Sequence, residues 1–155
     1  MIVIVHPGPV ETLNGGDSRV PPADTEALRE AFDLTVRNTS AAEARRRTLT
    51  WLLRHAVGQE AAEAAVLIIS ELVTNAVVHS GSSVIGCALL LGSGVLQIEV
   101  TDQGTGQQEP AIGEPAADDV SGRGLLLVSA LSKAWGVNPV SPSGRTVWAT
   151  VLTGE

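Results

Sequence analysis

Among 155 residues there is one cysteine, Cys87, and one lysine, Lys133. A single cysteine excludes an intrachain disulfide and leaves no thiolate cluster for structural zinc. Within an apolar strand segment, Cys87 reads as an inert core thiol. No Gly-x-x-x-x-Gly-Lys-Ser/Thr occurs, so the P-loop is absent. Charged residues are scarce, at 17% against 44% hydrophobic, which excludes an intrinsically disordered chain and predicts one folded domain with a single core. Positive charge is in deficit as well. A net charge of −7 repels a phosphate backbone, and the run Arg45, Arg46, Arg47 is too short to reverse that, so nucleic-acid binding is excluded. The opening MIVIV has no basic flank, is shorter than a signal-peptide core and meets Pro7, Gly8 and Pro9 at once. No other run approaches the roughly 20 residues of a membrane helix, and the expectation is a soluble cytoplasmic protein without a membrane partner.

Residues 1 to about 30 hold Pro7, Pro9, Gly15, Gly16, Pro21 and Pro22 with little periodicity, which predicts an extended, partly disordered N-terminal arm before a domain over 31–155. The alternation Phe32, Leu34, Val36 predicts a strand. Ser40 with Glu43 three residues on is a capping-box signature for a helix to about Val57, stopped by Gly58. A second long helix is expected from Glu60 to about His79, closed by Gly81. Val84 to Leu91 and Val95 to Thr101 read as a β-hairpin through Gly92, Ser93 and Gly94. Gln103 to Gly122 is a long Gly-, Pro- and acid-rich loop, a length that is usually functional or disordered. A helix from about Gly124 to Lys133 and strands over Trp135 to Val140 and Thr146 to Leu152 complete the order. The expected fold class is α/β, a two-layer sandwich of a mixed, mostly antiparallel sheet with helices on one face.

In ELVTNAVVHS, Glu71, Asn75 and His79 recur every fourth residue and drift only about 40° per step around a helix, so they form one narrow polar stripe. Val66, Ile69, Val73, Ala76 and Val77 gather opposite, as on a helix that packs against a sheet. Taken alone, the stripe reads as a solvated face. In TDQGTG, Asp102 follows a predicted strand and heads a Gly-x-Gly, where Gly104 and Gly106 permit close backbone approach; alone this is a turn. In SGRGLLLVSAL, Gly122 and Gly124 open an apolar helix whose first amides and positive dipole end suit an anion.

Together, ELVTNAVVH, VTDQGTG, SGRGLLLV and GRTVWATV resemble the ordered boxes of the histidine-kinase-like, Bergerat-fold (GHKL) ATPases, and among them the bacterial anti-sigma-factor serine kinases. The resemblance covers roughly Phe32 to Leu152. It implies ATP and Mg2+ as cofactors, with Asn75 as the metal ligand, since magnesium takes hard oxygen donors alongside phosphate and water. It implies Glu71 as the general base and Asp102 as the residue that accepts a hydrogen bond from the adenine amine. Gly104 and Gly106 would let the chain pass the base, and Gly122, Arg123, Gly124 and Leu125 would line the phosphates. Thr146 either supports Asp102 from the sheet or is an ordinary strand threonine. His79 has no assigned catalytic role. Gln107 to Ser121 would form a lid, with Glu109, Glu114, Asp118 and Asp119 turned outward. Arg45, Arg46 and Arg47 form either a wet basic face or a docking patch, while Trp51, Trp135 and Trp148 read as core or interface. The implied partners are a sigma factor and an anti-anti-sigma protein, with homodimerisation left open. The implied activity is serine/threonine kinase; the alternative is a non-catalytic, nucleotide-dependent binding module that sequesters its partner.

Overall fold

The structure, a computed structural model, describes residues 27–103, 119–140 and 144–154. Five strands, β1 (Leu28–Thr35), β2 (Val84–Gly92), β3 (Val95–Asp102), β4 (Ala134–Pro139) and β5 (Arg145–Leu152), form one sheet in the order β1-β2-β3-β5-β4. The sheet was expected to be mixed and mostly antiparallel, and every described pairing is antiparallel. Three helices, α1 (Ser40–Arg54), α2 (Gln59–His79) and α3 (Asp119–Leu131), make the second layer.

Alternation along each strand decides which side meets the helices. Phe32 and Leu34, Ile85, Cys87 and Leu89, Leu96, Ile98 and Val100, Trp135 and Val137, and Val147, Ala149 and Val151 are all buried in one core with Trp51, Leu52, Ile68, Ile69, Leu72 and Val73 from the helices. The other side carries Gln97, Glu99, Thr101, Thr146, Trp148 and Thr150. There the Trp148 indole lies so close to Gly136 that a Cβ on that glycine would meet it at 2.9 Å.

The β2–β3 hairpin forms as expected. Its two turn residues, Ser93 and Gly94, both have positive φ, at 57° and 77°, and Gly92 pairs with Val95. That is a type I′ turn, whose twist matches the flanking strands. The first strand starts at Leu28 rather than Phe32, because β2 offers partners along its whole length, from Thr35↔Val84 to Leu28↔Leu91.

Two expected helix ends are built differently. Thr39, not Ser40, is the residue before α1, and no side chain caps it. The Ser40 hydroxyl instead accepts from the Arg37 N–H at 2.9 Å and donates to the Thr35 carbonyl at 3.0 Å, tying the end of β1 to the start of α1. At the other end Ala56, at φ 59°, takes the left-handed position expected of Gly58. The Val57 N–H reaches back to Leu52 and the Ala56 N–H to Leu53, a Schellman pattern, and Gly58 becomes the residue before α2.

α2 also corrects the reading of apolar runs. Its 21 residues, with a mean hydropathy of 1.7 over the richest window, are long and apolar enough to cross a membrane by length and composition. That apolarity is spent in the core, as 56% of the window is buried. α2 lies across β3 and β5 and packs on its flanks against α1 and α3.

Candidate functional site

The polar stripe of α2 runs along the boundary between its buried and exposed sides. Glu71 and His79 are half-buried, while Asn75 is 9% exposed. Two core residues, Val73 and Ala76, bracket Asn75. The solvated-face reading therefore fails for the middle residue. An amide carried this deep costs free energy unless it is used.

β3 ends at Asp102, 4% exposed. Its cross-strand partner is Arg145, the first residue of β5, itself 8% exposed. The Arg145 Nε lies 3.5 Å from Asp102 Oδ2. Directly opposed residues of an antiparallel pair point to the same side of the sheet, and this pair follows Val100 and precedes Val147 on the helix side. Each charge is removed from water, and their mutual attraction offsets part of the desolvation cost of both.

The end of α2 and the end of β3 are fastened together. The Ser82 N–H donates to Ser80 Oγ at 2.9 Å, and the Ser82 hydroxyl donates to the Val84 carbonyl at 2.8 Å. The same hydroxyl accepts from the Gln103 N–H at 3.1 Å. The residues that follow His79 are thus joined to the residue that follows Asp102. On the other flank, Gly144 has φ 127°, and a Cβ there would stand 2.3 Å from the Asp102 carbonyl oxygen. Only glycine permits that approach. Neither Gly144 nor Arg145 stands out as a site residue in the sequence; the visible sign is an arginine directly after a turn glycine in an otherwise apolar final strand.

Thr146 falls elsewhere. It is the cross-strand partner of Thr101, and the two hydroxyls are 2.7 Å apart on the side of the sheet away from the helices. The residue facing Asp102 from β5 is Arg145, not Thr146.

α3 starts at Asp119, five residues before the expected Gly124. Gly122, Arg123 and Gly124 therefore lie within its first two turns instead of preceding it, and the amides lacking intrahelical partners belong to the turn that begins at Asp119. Each glycine in a helix costs about 1 kcal/mol relative to alanine, which the apolar stretch behind them offsets: Leu125 and Val128 are core residues. Leu125, expected beside the phosphates, has its side chain in that core. The end of the expected lid, Asp119 to Ser121, is helical; its remainder through Asp118, with Gly104, Gly106, Glu109 and Glu114, lies outside the described residues.

Two of the three clustered arginines are tied to this chain. Arg45 Nη1 donates to Ser70 Oγ at 2.8 Å, linking α1 to α2 one residue before Glu71. Arg47 pairs with Glu43 at 3.6 Å and lies 4.8 Å over the Phe32 ring. Trp51 and Trp135 are core residues. The Cys87 thiol is buried, and burial pushes its pKa up to about 12, with Asp33 adding to the rise and Arg47 opposing it.

The donor set suits magnesium held mainly by a bound triphosphate. Among the described residues no three His, Cys, Asp or Glu side chains gather into a metal cage. The side-chain oxygen of Asn75 is a hard donor of the kind magnesium takes beside phosphate oxygens and water.

A family model described as "Histidine kinase-like ATPase domain" matches residues 34–151. No curated protein matches this chain. Among solved structures, the crystal structure of the RsbU and RsbW domains of Rv1364c from Mycobacterium tuberculosis is similar in fold, with a TM-score of 0.59 and 22% identity. The similarity covers 81% of this chain and 32% of that one, so this chain spans about a third of that protein's length.

Proposed function

This chain belongs to the histidine kinase-like ATPase domain family, and on that premise we propose that it binds Mg-ATP and acts as a cytoplasmic anti-sigma factor with serine/threonine kinase activity toward an anti-anti-sigma protein. The observation that carries the reading is the burial of Asn75 and Asp102, an amide and a carboxylate kept within an apolar layer on two elements whose ends are joined through Ser82 and Gln103. A fold alone does not require either group there.

In this reading Asp102 accepts a hydrogen bond from the exocyclic amine of adenine and so selects the base. Asn75 Oδ1 would hold the magnesium ion, which would supply charge neutralisation to the transferred phosphoryl group. Glu71, one turn before Asn75 and half-buried, takes the proton from the serine hydroxyl of the protein substrate. The first-turn amides of α3 receive phosphate oxygens at the positive end of the helix dipole. Catalysis is then mostly positioning and charge stabilisation. Sigma-factor sequestration would use the same chain as a docking body.

The test is incubation with γ-labelled ATP, magnesium and candidate antagonist proteins. Label transfer to a serine that disappears in both Glu71→Ala and Asn75→Ala is the expected result. Tight ATP binding with no transfer to any candidate would overturn the kinase assignment in favour of a binding module. Phosphate release without an acceptor would make the protein a plain ATPase.

A further inference from the structure

Asp102 is the one carboxylate that the nucleotide reading asks to select a base, and its neighbour across the ladder is an arginine. Arg145 is only 8% exposed, its Nε stands 3.5 Å from Asp102 Oδ2, and the two residues are register partners on the helix side of the sheet. A buried ion pair is a poor device for stability, because an apolar pair of similar volume serves as well or better. Its presence at the mouth of a ladder whose inner rungs are apolar, Val100↔Val147 and Ile98↔Ala149, asks for another use. The backbone adds to the constraint: Gly144 packs against the Asp102 carbonyl, so the residue before Arg145 is held as closely as Arg145 itself.

We propose that Arg145 is a positioning residue that makes the chain selective for the adenine base: its guanidinium holds the Asp102 carboxylate in one plane, so that the carboxylate meets the exocyclic amine in a single orientation. The proposal rests on the reading of Asp102 as the adenine-binding group. Its physical content is a difference between two bases. A carboxylate oriented toward the base accepts from the amine of adenine and repels the carbonyl oxygen that inosine carries at the same position, and a hydrogen bond to a charged group discriminates by about tenfold or more. A carboxylate released from Arg145 is free to turn, and that change erases the discrimination.

The experiment measures dissociation constants of ATP and inosine triphosphate, each with magnesium, for the full chain and for Arg145→Gln, Arg145→Lys and Asp102→Asn, with thermal melting as the check on folding. The wild type should prefer ATP by about tenfold or more. Arg145→Gln should bring the preference to within about threefold of unity, chiefly by weakening ATP, while Arg145→Lys, which restores the charge without the planar fork, recovers part of it. Equal weakening of both nucleotides in Arg145→Gln would mark a merely structural residue and overturn the proposal. If Arg145→Gln does not fold, Arg145→Lys decides: an undiminished preference there overturns the proposal too. A wild type that prefers ATP, with both Arg145 variants equally selective, would overturn the role of Arg145 and leave the nucleotide reading standing. A wild type that binds neither nucleotide, or both alike, would overturn that reading and this proposal with it.

Discussion

On β3 and β5 the rungs Thr101↔Thr146 and Asp102↔Arg145 are neighbours, yet they project to opposite sides of the sheet. The first is a pair of neutral hydroxyls 2.7 Å apart, and the second is a pair of full charges 3.5 Å apart under the helix layer. Chemistry and burial run against the usual trend here, since the charged rung is on the core side. A neutral hydroxyl pair is satisfied by one mutual hydrogen bond and asks little of its surroundings. A buried ion pair depends on both members and on the backbone that aligns them. The difference locates the candidate site more sharply than any residue type alone: it lies where the core side of the sheet stops being apolar.

The comparison can be broken most forcefully at Asp102. Replacing it with alanine leaves the Arg145 guanidinium buried without its counter-charge, and a loss of about 3 to 5 kcal/mol is expected in denaturant unfolding. A loss below about 1 kcal/mol would show that Arg145 reaches water easily and that the rung is not closed. Gly144→Ala should come next, at roughly 2 to 4 kcal/mol, because the new Cβ collides with the Asp102 carbonyl and the backbone sits in a region costly to L residues. A thermal melt unchanged by that substitution would contradict the close approach. Thr146→Val removes one hydroxyl of the opposite rung and should cost about 0.5 to 1.5 kcal/mol. A cost as large as that of Asp102→Ala would erase the distinction between the two sides.

The smallest expected effect is one of pH. Cys87 lies on the core side, and its thiol is raised from 9.0 to about 12 by burial first of all. The unfolded chain loses this proton near pH 9 and the folded chain does not, so between about pH 9 and 12 the unfolded state binds fewer protons and stability falls as pH rises. Below pH 9 the group contributes no slope. Native Cys87 should therefore resist alkylation at pH 8, and a Cys87→Ala variant should lose part of the alkaline decline seen in unfolding experiments.

What the sequence made legible was local. The Ser93-Gly94 turn, the long apolar α2 and the strands around them follow from periodicity and turn chemistry, which act over a few residues. Asn75 and Asp102 were legible as candidates because polar residues stand out in apolar segments. Arg145 was not, because its role exists only in the register of β5 against β3, and these strands are separated by more than 40 residues of chain. The support of Asp102 by Thr146 was an implication of the family resemblance, with an ordinary strand threonine as the alternative, and the register gives that place to Arg145, since a shift of one residue exchanges the two sides of a strand. The start of α3 was misplaced since two glycines read as a helix opening, whereas Asp119 begins the helix and the apolar residues behind the glycines hold it together. Ser40 matched a capping box in sequence, but the tight passage from β1 to α1 claimed its hydroxyl first.

β5 is the last of the described strands along the chain, yet it occupies an inner place, between β3 and β4. During synthesis the ribosome must deliver that strand before β3 and β4 can be bridged, and until then Asp102 has no Arg145. A nascent or truncated chain ending ahead of Arg145 would leave β3 and β4 without the strand that joins them, their facing edges open, and would lack half of the charged rung.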